Sequence, residues 1–489
     1  MTDGTFSTYF NRQRAGSLTL RGRKRTKLVA TIGPACEDED VLREMYHLGM
    51  NVARLNMSHG AHADHARRLE QVRRLSHELE RPIAVLADLQ GPKIRLGRFA
   101  GKNLQIKEGD EITITTAECE EGTLERVGTT YTDLHLDVKP GSTLLIDDGK
   151  LRFTVLSIDG QDVRCRVEVG GAISSNKGIN LPNVDVSAPT LSDKDKADLA
   201  WAIEHEVDFI ALSFVRSALD VRNVRRRIAE CGRRIGIVAK IERPEAVNDI
   251  ENILEESDAI MVARGDLGIE IDTERVPVVQ KHLIARANAH GKLVITATQM
   301  LDSMIGSPIP TRAETTDVAN AIFDGTDAVM LSGETAVGGY PCEAVEEMLK
   351  IAIEAEESPY IRDPEVDYTR LDSDRLAIAL TGAAEYLAST IDAAGVMIFS
   401  HGTEKGELLA KRRVKRTITI CYDDAAWRRQ SILWGSVPLR VDFTDDPHDL
   451  LEAGIAEALR QGALKPGDQV VVMMGFAGDN ANSLRVVQV

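Results

Sequence analysis

Eight short apolar runs rich in β-branched residues, spaced between residues 27 and 335, most strongly constrain the fold of this chain. Helical segments alternate with them, and strands that alternate with helices form parallel βαβ units. Eight such units are the number that closes a (β/α)8 barrel. The sequence therefore predicts an α/β fold built on a TIM barrel. The runs are KLVATI, NVARLNM, IAVLADL, DFIALSF, GIVAKIE, AIMVARG, LVITATQ and AVMLSGE.

The spacing of the runs predicts an inserted domain. About 120 residues separate IAVLADL from DFIALSF, far more than one βα unit needs. Within this stretch, RFTVLSIDGQDVRCRVEV alternates apolar and polar residues on both sides of Asp159-Gly160, as an antiparallel hairpin does. The predicted domains are an N-terminal arm (1–25), the barrel (26–92 and 190–363), an inserted small β-barrel (93–189) and a C-terminal α/β domain (364–489).

The charge balance limits the partners of the chain. Lys and Arg total 59 against 76 Asp and Glu, a formal net charge of -17, which argues against binding nucleic acid or an anionic membrane. An anionic substrate must therefore meet a local basic cluster. The six cysteines lack a C-x-x-C pair, which indicates a reducing compartment and neither a zinc site nor a disulfide framework. With no run of about 18 apolar residues and no signal-peptide core, we expect a cytoplasmic protein.

Polar residues follow the predicted barrel strands at their carboxyl ends, where barrel enzymes assemble their active sites. Any one of these residues is equally well explained as an ordinary strand-end cap, but that explanation is poor for a set of strand ends that behave alike. The sequence therefore predicts a polar site at one end of the barrel. The residues are Arg54, Asn56, Asp88, Lys240, Glu242, Asp266, Thr298 and Glu334.

Lys240 and Glu242 bring a cation and a carboxylate into one site. They lie two residues apart on a predicted strand, so their side chains face the same side. Asp266 ends the next run, and a Glu with an Asp from neighbouring strands forms the oxygen site that Mg²⁺ prefers. A structural salt bridge between Lys240 and Glu242 is the alternative. It does not explain why Asp266, Arg54 and Thr298 converge on the same barrel end.

The segments NVARLNMSHG and ARGDLG offer groups that suit an anion. Arg54, Asn56 and Ser58 alternate onto one side, and the guanidinium fork of an arginine suits phosphate or carboxylate. Gly265 removes a side chain beside Asp266, which lets backbone amides approach an anion closely.

Taken together, these segments resemble pyruvate kinases. The match runs from near residue 26 to near residue 341 and covers the barrel almost continuously, whereas the final domain matches in layout more than in sequence. The matching segments are TKLVATIGPAC, NVARLNMSHG, GPKIRLG, NKGINLP, LSDKDKADL, AKIERPEAV, MVARGDLG, ATQMLDSM, PTRAETTDVANA and LSGETAVGGYP. The resemblance implies a glycolytic phosphotransferase that forms pyruvate and ATP from phosphoenolpyruvate and ADP. It also implies a homotetramer with Arg312 as a subunit contact, an inserted domain that acts as a lid, and a regulatory C-terminal domain.

The same resemblance implies a role for each site residue. Catalysis would involve Lys240, Arg54 and Thr298, with Lys240 stabilising an enolate and Thr298 orienting an unassigned proton donor. Phosphoenolpyruvate would be surrounded by Arg54, Lys240, Gly265, Asp266 and Thr298. Mg²⁺, or Mn²⁺ in its place, would be held by Glu242 and Asp266. The nucleotide phosphates would meet Asn56, His59, Arg95 and Lys177, the last two from the lid.

The end of the third run departs from potassium-dependent pyruvate kinases. Those enzymes usually have Asp-Thr there and a Glu four residues after the Thr, whereas this chain has DLQGPK (88–93). A fixed ammonium group on Lys93 could supply the charge that potassium otherwise brings, and the resemblance to potassium-independent members points the same way. We therefore expect activity without added potassium. The alternative is that Lys93 is a solvated lid residue.

The C-terminal domain indicates an effector only weakly. Many relatives bind a sugar phosphate at a Ser/Thr-rich loop after the first strand of this domain, where this chain has SHGTEK (400–405). The amino end of a helix still offers backbone amides to an anion, but Glu404 argues against fructose 1,6-bisphosphate. The basic run KRRVKR (411–416) suits another phosphorylated effector or a solvated helix end.

Two other functions fit parts of the sequence. A Mg²⁺-dependent barrel lyase also forms pyruvate enolate, by cleaving a carbon–carbon bond, but it has no need for a nucleotide lid that carries Arg95 and Lys177. A non-catalytic metabolite sensor could keep the fold. The intact set of Lys240, Glu242, Asp266 and Thr298 argues against that sensor.

Overall fold

The computed structural model describes residues 24–489 apart from 102–103, 185, 188, 372, 400–401 and 476–481. Most of the predicted N-terminal arm and the first two residues of the 400–405 loop therefore lie outside the described residues. In chain order, the strands are β1 (Lys27–Thr31), β2 (Val52–Asn56), β3 (Ala84–Asp88), β4 (Leu104–Ile106), β5 (Glu111–Thr115), β6 (Arg126–Gly128), β7 (Thr143–Ile146), β8 (Leu151–Asp159), β9 (Asp162–Val169), β10 (Gly171–Ile173), β11 (Ile179–Asn180), β12 (Phe209–Leu212), β13 (Gly236–Ile241), β14 (Ala259–Ala263), β15 (Leu293–Ala297), β16 (Ala328–Leu331), β17 (Gly395–Phe399), β18 (Thr417–Cys421), β19 (Ser436–Arg440), β20 (Gln469–Gly475) and β21 (Asn482–Gln488).

The α-helices lie between these strands. They are α1 (Glu39–His47), α2 (His62–Glu78), α3 (Leu134–Asp137), α4 (Asp193–Glu204), α5 (Ala218–Glu230), α6 (Pro244–Asn248), α7 (Ile250–Glu256), α8 (Arg264–Glu270), α9 (Val276–Ala289), α10 (Arg312–Phe323), α11 (Gly333–Ala336), α12 (Pro341–Glu356), α13 (Arg375–Thr390), α14 (Glu404–Lys411), α15 (Asp424–Arg429) and α16 (Pro447–Arg460). None of the described helices combines the length and apolar character needed to cross a bilayer.

The eight apolar runs form a closed parallel barrel, as predicted. Its strand order is β1-β16-β15-β14-β13-β12-β3-β2. Alternate side chains take opposite faces: one set, including Val29 and Leu86, forms a core inside the barrel, and the other, including Leu28 and Val85, packs beneath the helices. Because both faces are covered, the strands are almost continuously apolar until they reach their carboxyl ends. Polar residues there are positioned at one mouth of the barrel.

The insertion is a β-rich domain with its own hydrophobic core, as predicted. It contains a six-stranded sheet in the order β11-β7-β8-β9-β5-β6 and a separate β10-β4 pair. The predicted hairpin is confirmed as β8 and β9, which pair antiparallel around Gly160. Most of its pairs are antiparallel, and β5 with β6 is parallel. An antiparallel bridge between Arg95 and Gly178 joins the two ends of the insertion beside the barrel.

The C-terminal α/β domain closes the end of the barrel at which the strands begin. Its sheet has the order β19-β18-β17-β20-β21, with β21 antiparallel at the edge. Ile432, Leu433 and Trp434 of this domain belong to the core inside the barrel. The opposite end of the barrel, at which the polar residues lie, is left to the inserted domain.

The basic run 411–416 contacts the barrel, which corrects one interpretation of the sequence. Lys411 and Arg413 both pair with the buried carboxylate of Asp327, which precedes β16, at 2.5 and 2.9 Å. Arg412 stacks over the ring of Tyr368 at 4.1 Å. The interpretation of this run as a solvated helix end is therefore wrong for Lys411 and Arg413, and these two cations are already occupied by the domain contact.

Candidate active site

Lys240 is the centre of a charged cluster at the carboxyl ends of the barrel strands. Its side chain is 11% exposed, and Nζ lies 2.9 Å from Glu242 Oε1 and 3.2 Å from Asp88 Oδ1. The ammonium group also donates to Ser213 Oγ at 2.6 Å. Burial alone would lower the pKa of Lys240, but Asp88, Glu242 and Asp266 together hold that pKa above its ordinary value. Lys240 is therefore a fixed, fully protonated cation.

Arg54 completes the basic side of the cluster. It ends β2, where its Nε donates to Asp88 Oδ2 at 2.7 Å and its Nη1 donates to Thr31 Oγ1 at 2.8 Å. Asp88 ends the neighbouring strand and is 1% exposed. Burial would raise the pKa of Asp88, but Lys240 and Arg54 hold it below its usual range. One buried carboxylate thus orients both cations.

Glu242 and Asp266 supply two carboxylates that a divalent cation could bridge. Glu242 is 1% exposed, and its Oε2 accepts from the Phe214 backbone N–H at 2.7 Å. Its Oε1 is buried and lies 2.9 Å from the ammonium group of Lys240. Burial raises the pKa of Glu242, and the nearby charge of Asp266 adds to that rise. A buried carboxylate with a second negative charge nearby favours a bound cation.

No group of three or more His, Cys, Asp or Glu side chains in the described part of the chain could hold a metal by itself. Two carboxylates with open surroundings nevertheless fit Mg²⁺, which usually keeps several waters and is bound through one or two carboxylates plus substrate oxygens. The donor set at Glu242 and Asp266 therefore fits this ion. Both the predicted salt bridge and the predicted convergence of charges are present, so the two interpretations of Lys240 and Glu242 are compatible.

Thr298 and Gly265 face each other across neighbouring strand ends. The Gly265 N–H donates to Thr298 Oγ1 at 2.7 Å, and that hydroxyl donates to the Ala297 carbonyl at 2.6 Å. The hydrogen bond from Gly265 keeps the hydroxyl close to the first turn of α8, which carries Asp266.

The residues expected to bind the nucleotide form two separate groups. Asn56 Oδ1 accepts from the Ser58 backbone at 3.1 Å, and His59 beside it is exposed. In the inserted domain, Arg95 donates to the Asn176 carbonyl at 3.0 Å, and Lys177 pairs with Asp147 at 2.8 Å. Among the described residues, no hydrogen bond or ion pair joins Arg95 or Lys177 to Asn56 or His59. Each pair is assembled, but the two pairs are not brought together.

Lys93 lies where the chain passes from β3 into the insertion. It is half-buried, its backbone N–H donates to the Gly91 carbonyl at 2.8 Å, and its Cε lies near Gly178, where a Cβ would approach it to 3.3 Å. Both the potassium-substitute and the lid interpretations of Lys93 remain predictions.

Glu334, which was predicted to lie at the mouth of the barrel, is buried, and its carboxylate accepts hydrogen bonds from backbone N–H groups. Its carboxylate accepts from the Leu301 and Ser332 N–H groups at 3.1 and 2.7 Å. It therefore braces the loops after β15 and β16 instead of facing the Lys240 cluster.

Two residues of the site were missed from the sequence. Ser213, 1% exposed, accepts from Lys240 and donates to the Leu89 carbonyl at 2.7 Å. It directly follows β12, near the end of the fourth apolar run, so the same strand-end rule would have included it. Arg264 immediately follows β14 and binds the backbone of Thr298. Its place beside the glycine and aspartate of ARGDLG was the available signal.

Comparisons with known proteins agree with this geometry. The family model described as "Pyruvate kinase, barrel domain" matches residues 23–345, and "Pyruvate kinase, alpha/beta domain" matches residues 378–487. Pyruvate kinase of Mycobacterium intracellulare is 43% identical over 470 residues, covering 95% of this chain and 98% of that protein. Pyruvate kinase 2 of Synechocystis is 42% identical over 475 residues, covering 95% of this chain and 79% of that protein.

A solved structure extends the agreement to the whole architecture. The crystal structure of a pyruvate kinase from Cryptosporidium parvum superposes with a TM-score of 0.89 at 33% identity, covering 100% of this chain and 99% of that one. Sequence, fold and strand-end cluster thus lead to one assignment: the chain is an enzyme with phosphotransferase activity and belongs to the pyruvate kinase family.

Proposed function

We propose that this enzyme transfers the phosphoryl group of phosphoenolpyruvate to ADP, giving pyruvate and ATP, as a cytoplasmic step of glycolysis. The observation that carries the proposal is the buried cluster in which Asp88 orients Arg54 and Lys240 at the barrel mouth. An anionic substrate needs such a local cluster because the chain as a whole carries a net charge of -17. Family membership supports the same reaction.

Arg54 and Lys240 would bind the phosphoryl group and neutralise its charge. Phosphoryl transfer requires little covalent chemistry from the protein, so catalysis consists mainly of positioning and of electrostatic stabilisation. Both cations are held in place by Asp88 before substrate arrives. Preorganised charges need little rearrangement during the reaction, which makes them more effective than the same charges in water.

Glu242 and Asp266 would hold Mg²⁺, or Mn²⁺ in its place. When bound, the divalent ion supplies positive charge at the phosphoryl and enolate oxygens. Asp266 adds a second negative charge beside the buried Glu242 carboxylate, which supports this assignment. Gly265 would leave room for substrate beside Asp266.

Lys240 would also stabilise the enolate that remains after transfer, because its ammonium group is fixed and fully protonated. Thr298 would hold the proton donor for the methylene carbon in place. Its hydroxyl is already oriented by Gly265 and Ala297. The donor itself stays unassigned.

Asn56, His59, Arg95 and Lys177 would meet the phosphates of ADP, with the inserted domain acting as a lid. Lys177 is paired with Asp147 and Arg95 with a backbone carbonyl. The nucleotide phosphates would therefore replace these lid acceptors as ligands of the two cations. Such an exchange suits a lid that engages the barrel only when nucleotide is present.

Further proposals concern the ion requirement and the assembly. Lys93 would substitute for potassium, so that the enzyme works without it. Arg312 is exposed at the first turn of α10, which supports its proposed role as a contact within a homotetramer. A phosphorylated effector would bind the C-terminal domain away from Lys411 and Arg413. The domains would keep the limits expected from the sequence.

The test is pyruvate formation from phosphoenolpyruvate, with and without ADP, and with and without potassium, in the presence of Mg²⁺. Lys240→Ala should lower the rate about 10³-fold. Lys292→Ala is the matched control, because Lys292 binds the Ser257 carbonyl beside the start of β14. ATP formed in equal amount to pyruvate supports the kinase. No turnover of phosphoenolpyruvate with Mg²⁺ would favour the lyase, whose substrate must contain the carbon–carbon bond that it cleaves, or the sensor, or a kinase that requires an effector.

Equal rates in the presence and absence of potassium would support the role of Lys93. A rate that collapses without potassium and returns on its addition would overturn that role while leaving the kinase assignment intact.

A further inference from the structure

Arg264 is a buried arginine whose whole guanidinium group is used to hold the strand end that carries Thr298. It begins α8 and is 8% exposed. Its five N–H groups have acceptors on three elements. They are the Ala297 carbonyl at 3.3 Å, the Thr298 carbonyl at 2.8 Å, Met300 Sδ at 2.8 Å, Gln280 Oε1 at 3.3 Å and Asp317 Oδ1 at 2.7 Å.

The segment that Arg264 binds after β15 has an unusual backbone conformation. Thr298 and Gln299 have φ values of 66° and 55°, in the left-handed region. A β-branched residue rarely adopts this conformation, and it persists only where the surroundings enforce it. Arg264 binds the carbonyl on each side of the first left-handed residue, at Ala297 and Thr298.

The same turn sets the direction of the Thr298 hydroxyl. That hydroxyl accepts from Gly265 N–H and donates to the Ala297 carbonyl, which also receives Arg264 Nε. The backbone and the hydroxyl of Thr298 are therefore fixed through residues 264 and 265, which are consecutive and immediately precede Asp266. Any movement of Arg264 would displace the hydroxyl relative to Asp266.

We propose that Arg264 is a positioning residue for Thr298, and that Asp317 on α10 orients Arg264 for this task. The inference rests on the proposed role of Thr298 in the reaction. Arg264 is buried beneath the turn and reaches the substrate only through Thr298. Asp317 lies five residues after Arg312 on the same helix. Through the contact of Asp317 with Arg264, the end of β15 is joined to α10, the helix whose first turn is exposed.

Lysine cannot replace this arginine. A guanidinium group donates in a fixed planar fork, whereas an ammonium group is a compact point charge with three donors. Lysine at position 264 would keep the charge beside Asp317 and lose most of the backbone contacts. Arg264→Lys therefore separates the charge of the side chain from its geometry.

The test is a double-mutant cycle on kcat and KM for phosphoenolpyruvate, using Arg264→Lys, Thr298→Ala and both together. A misplacement of about 1 Å near the reacting atoms costs about 10²-fold in rate, so Arg264→Lys should lower kcat by about that factor. KM should change less than about threefold, because Arg264 does not touch the substrate. In the Thr298→Ala background, the same substitution should change kcat less than about threefold.

Arg225→Lys is the matched control. Arg225 also joins a backbone carbonyl, of Glu256, to a carboxylate, of Asp258, but it does so beside the start of β14. It should leave kcat unchanged. Asp317→Asn provides a second variant in case Arg264→Lys does not fold, and its loss of kcat, about tenfold, should likewise disappear with Thr298→Ala.

Equal fold-losses in both backgrounds would overturn the proposal, because Arg264 would then act independently of Thr298. An unchanged kcat in Arg264→Lys would overturn it as well. If Thr298→Ala alone left kcat unchanged, the proposed role of Thr298 would fail and the positioning role with it. If Thr298→Ala lowers kcat but Arg264→Lys lowers kcat by the same factor with and without Thr298, only the positioning role is refuted.

Discussion

Replacing Asp327 by asparagine should loosen the C-terminal domain from the barrel. The Asp327 carboxylate is 1% exposed and lies 2.5 Å from Lys411 Nζ and 2.9 Å from Arg413 Nη1. At an effective dielectric constant near 20, each of these pairs is worth about 6 kcal/mol of Coulomb energy. The cost of removing the three charges from water offsets most of that gain.

The loss on substitution is larger than the net worth of the pairs, because Asp327→Asn leaves two buried cations without a counter-ion. Breaking a buried ion pair from one side destabilises a protein by about 3–5 kcal/mol. Asparagine keeps the shape of the side chain and can still accept the Val294 N–H, which Asp327 Oδ2 accepts at 2.9 Å. The expected loss therefore reports charge and not packing.

Differential scanning calorimetry measures the effect, with the midpoint of the transition expected to fall by roughly 3–5 °C for a chain of 489 residues. Removing one stranded cation should recover part of the loss, so the double variant Asp327→Asn/Lys411→Met should melt above Asp327→Asn alone. The reasoning is refuted if Asp327→Asn melts within about 1 °C of the unaltered protein, or if the second substitution lowers the midpoint by its full separate effect.

Four further outcomes are expected. Lys93→Glu should make the rate depend on potassium, measured in potassium-free and potassium-containing buffers. Lys177→Met should raise KM for ADP about tenfold with little change in KM for phosphoenolpyruvate, whereas Asp147→Asn, which frees Lys177, should not raise it. Chelation of divalent ions should abolish phosphoenolpyruvate binding in calorimetric titration. Burial lowers the pKa of Lys411 from 10.5 to about 8. Between these two pH values the unfolded chain binds more protons than the folded chain, so the free energy of unfolding should rise with pH by up to about 3 kcal/mol. Lys411→Met should abolish that rise.

The barrel could be predicted because its evidence is local. Each strand is a short apolar run, and parallel strands covered on both faces must be apolar throughout. The carboxyl ends of such strands meet at one mouth, so Arg54, Lys240 and Thr298 could be assigned to one site although they are far apart in sequence. The charged cluster around Lys240 follows from that rule.

The contacts between domains could not be predicted in the same way. The run 411–416 is strongly basic, and a basic run is usually solvated or binds an anion. Its partner Asp327 is 84 residues from Lys411. Asp327 lies in TDAVML, where it precedes a barrel strand, and that segment gives no sign of a contact with the C-terminal domain. Only the fold shows that the C-terminal domain covers the end of the barrel at which this aspartate lies.

The side-chain geometry beyond the strand ends was also inaccessible. Arg264 belongs to the segment ARGDLG, which was interpreted through Asp266. Nothing in the spacing of that segment indicates that Arg264 binds the turn at Thr298. The left-handed conformation of Thr298 and Gln299 has no sequence signature, because it runs against the preference of the residues, and only the structure shows that Arg264 binds the carbonyls of Ala297 and Thr298. Such strain is typical of functional sites.

The charges of the site argue that a divalent ion is part of substrate binding and not only of catalysis. With all five groups ionised, the three carboxylates of Asp88, Glu242 and Asp266 outweigh the two cations of Arg54 and Lys240. Arg54 and Lys240 both pair with Asp88, and Lys240 also pairs with Glu242, so the uncompensated charge lies toward Asp266. This excess negative charge would repel a trianionic substrate. A divalent cation held by Glu242 and Asp266 would make the net charge of the site positive. Burial is the main cause of the raised pKa of Glu242, and the repulsion from Asp266 adds to it.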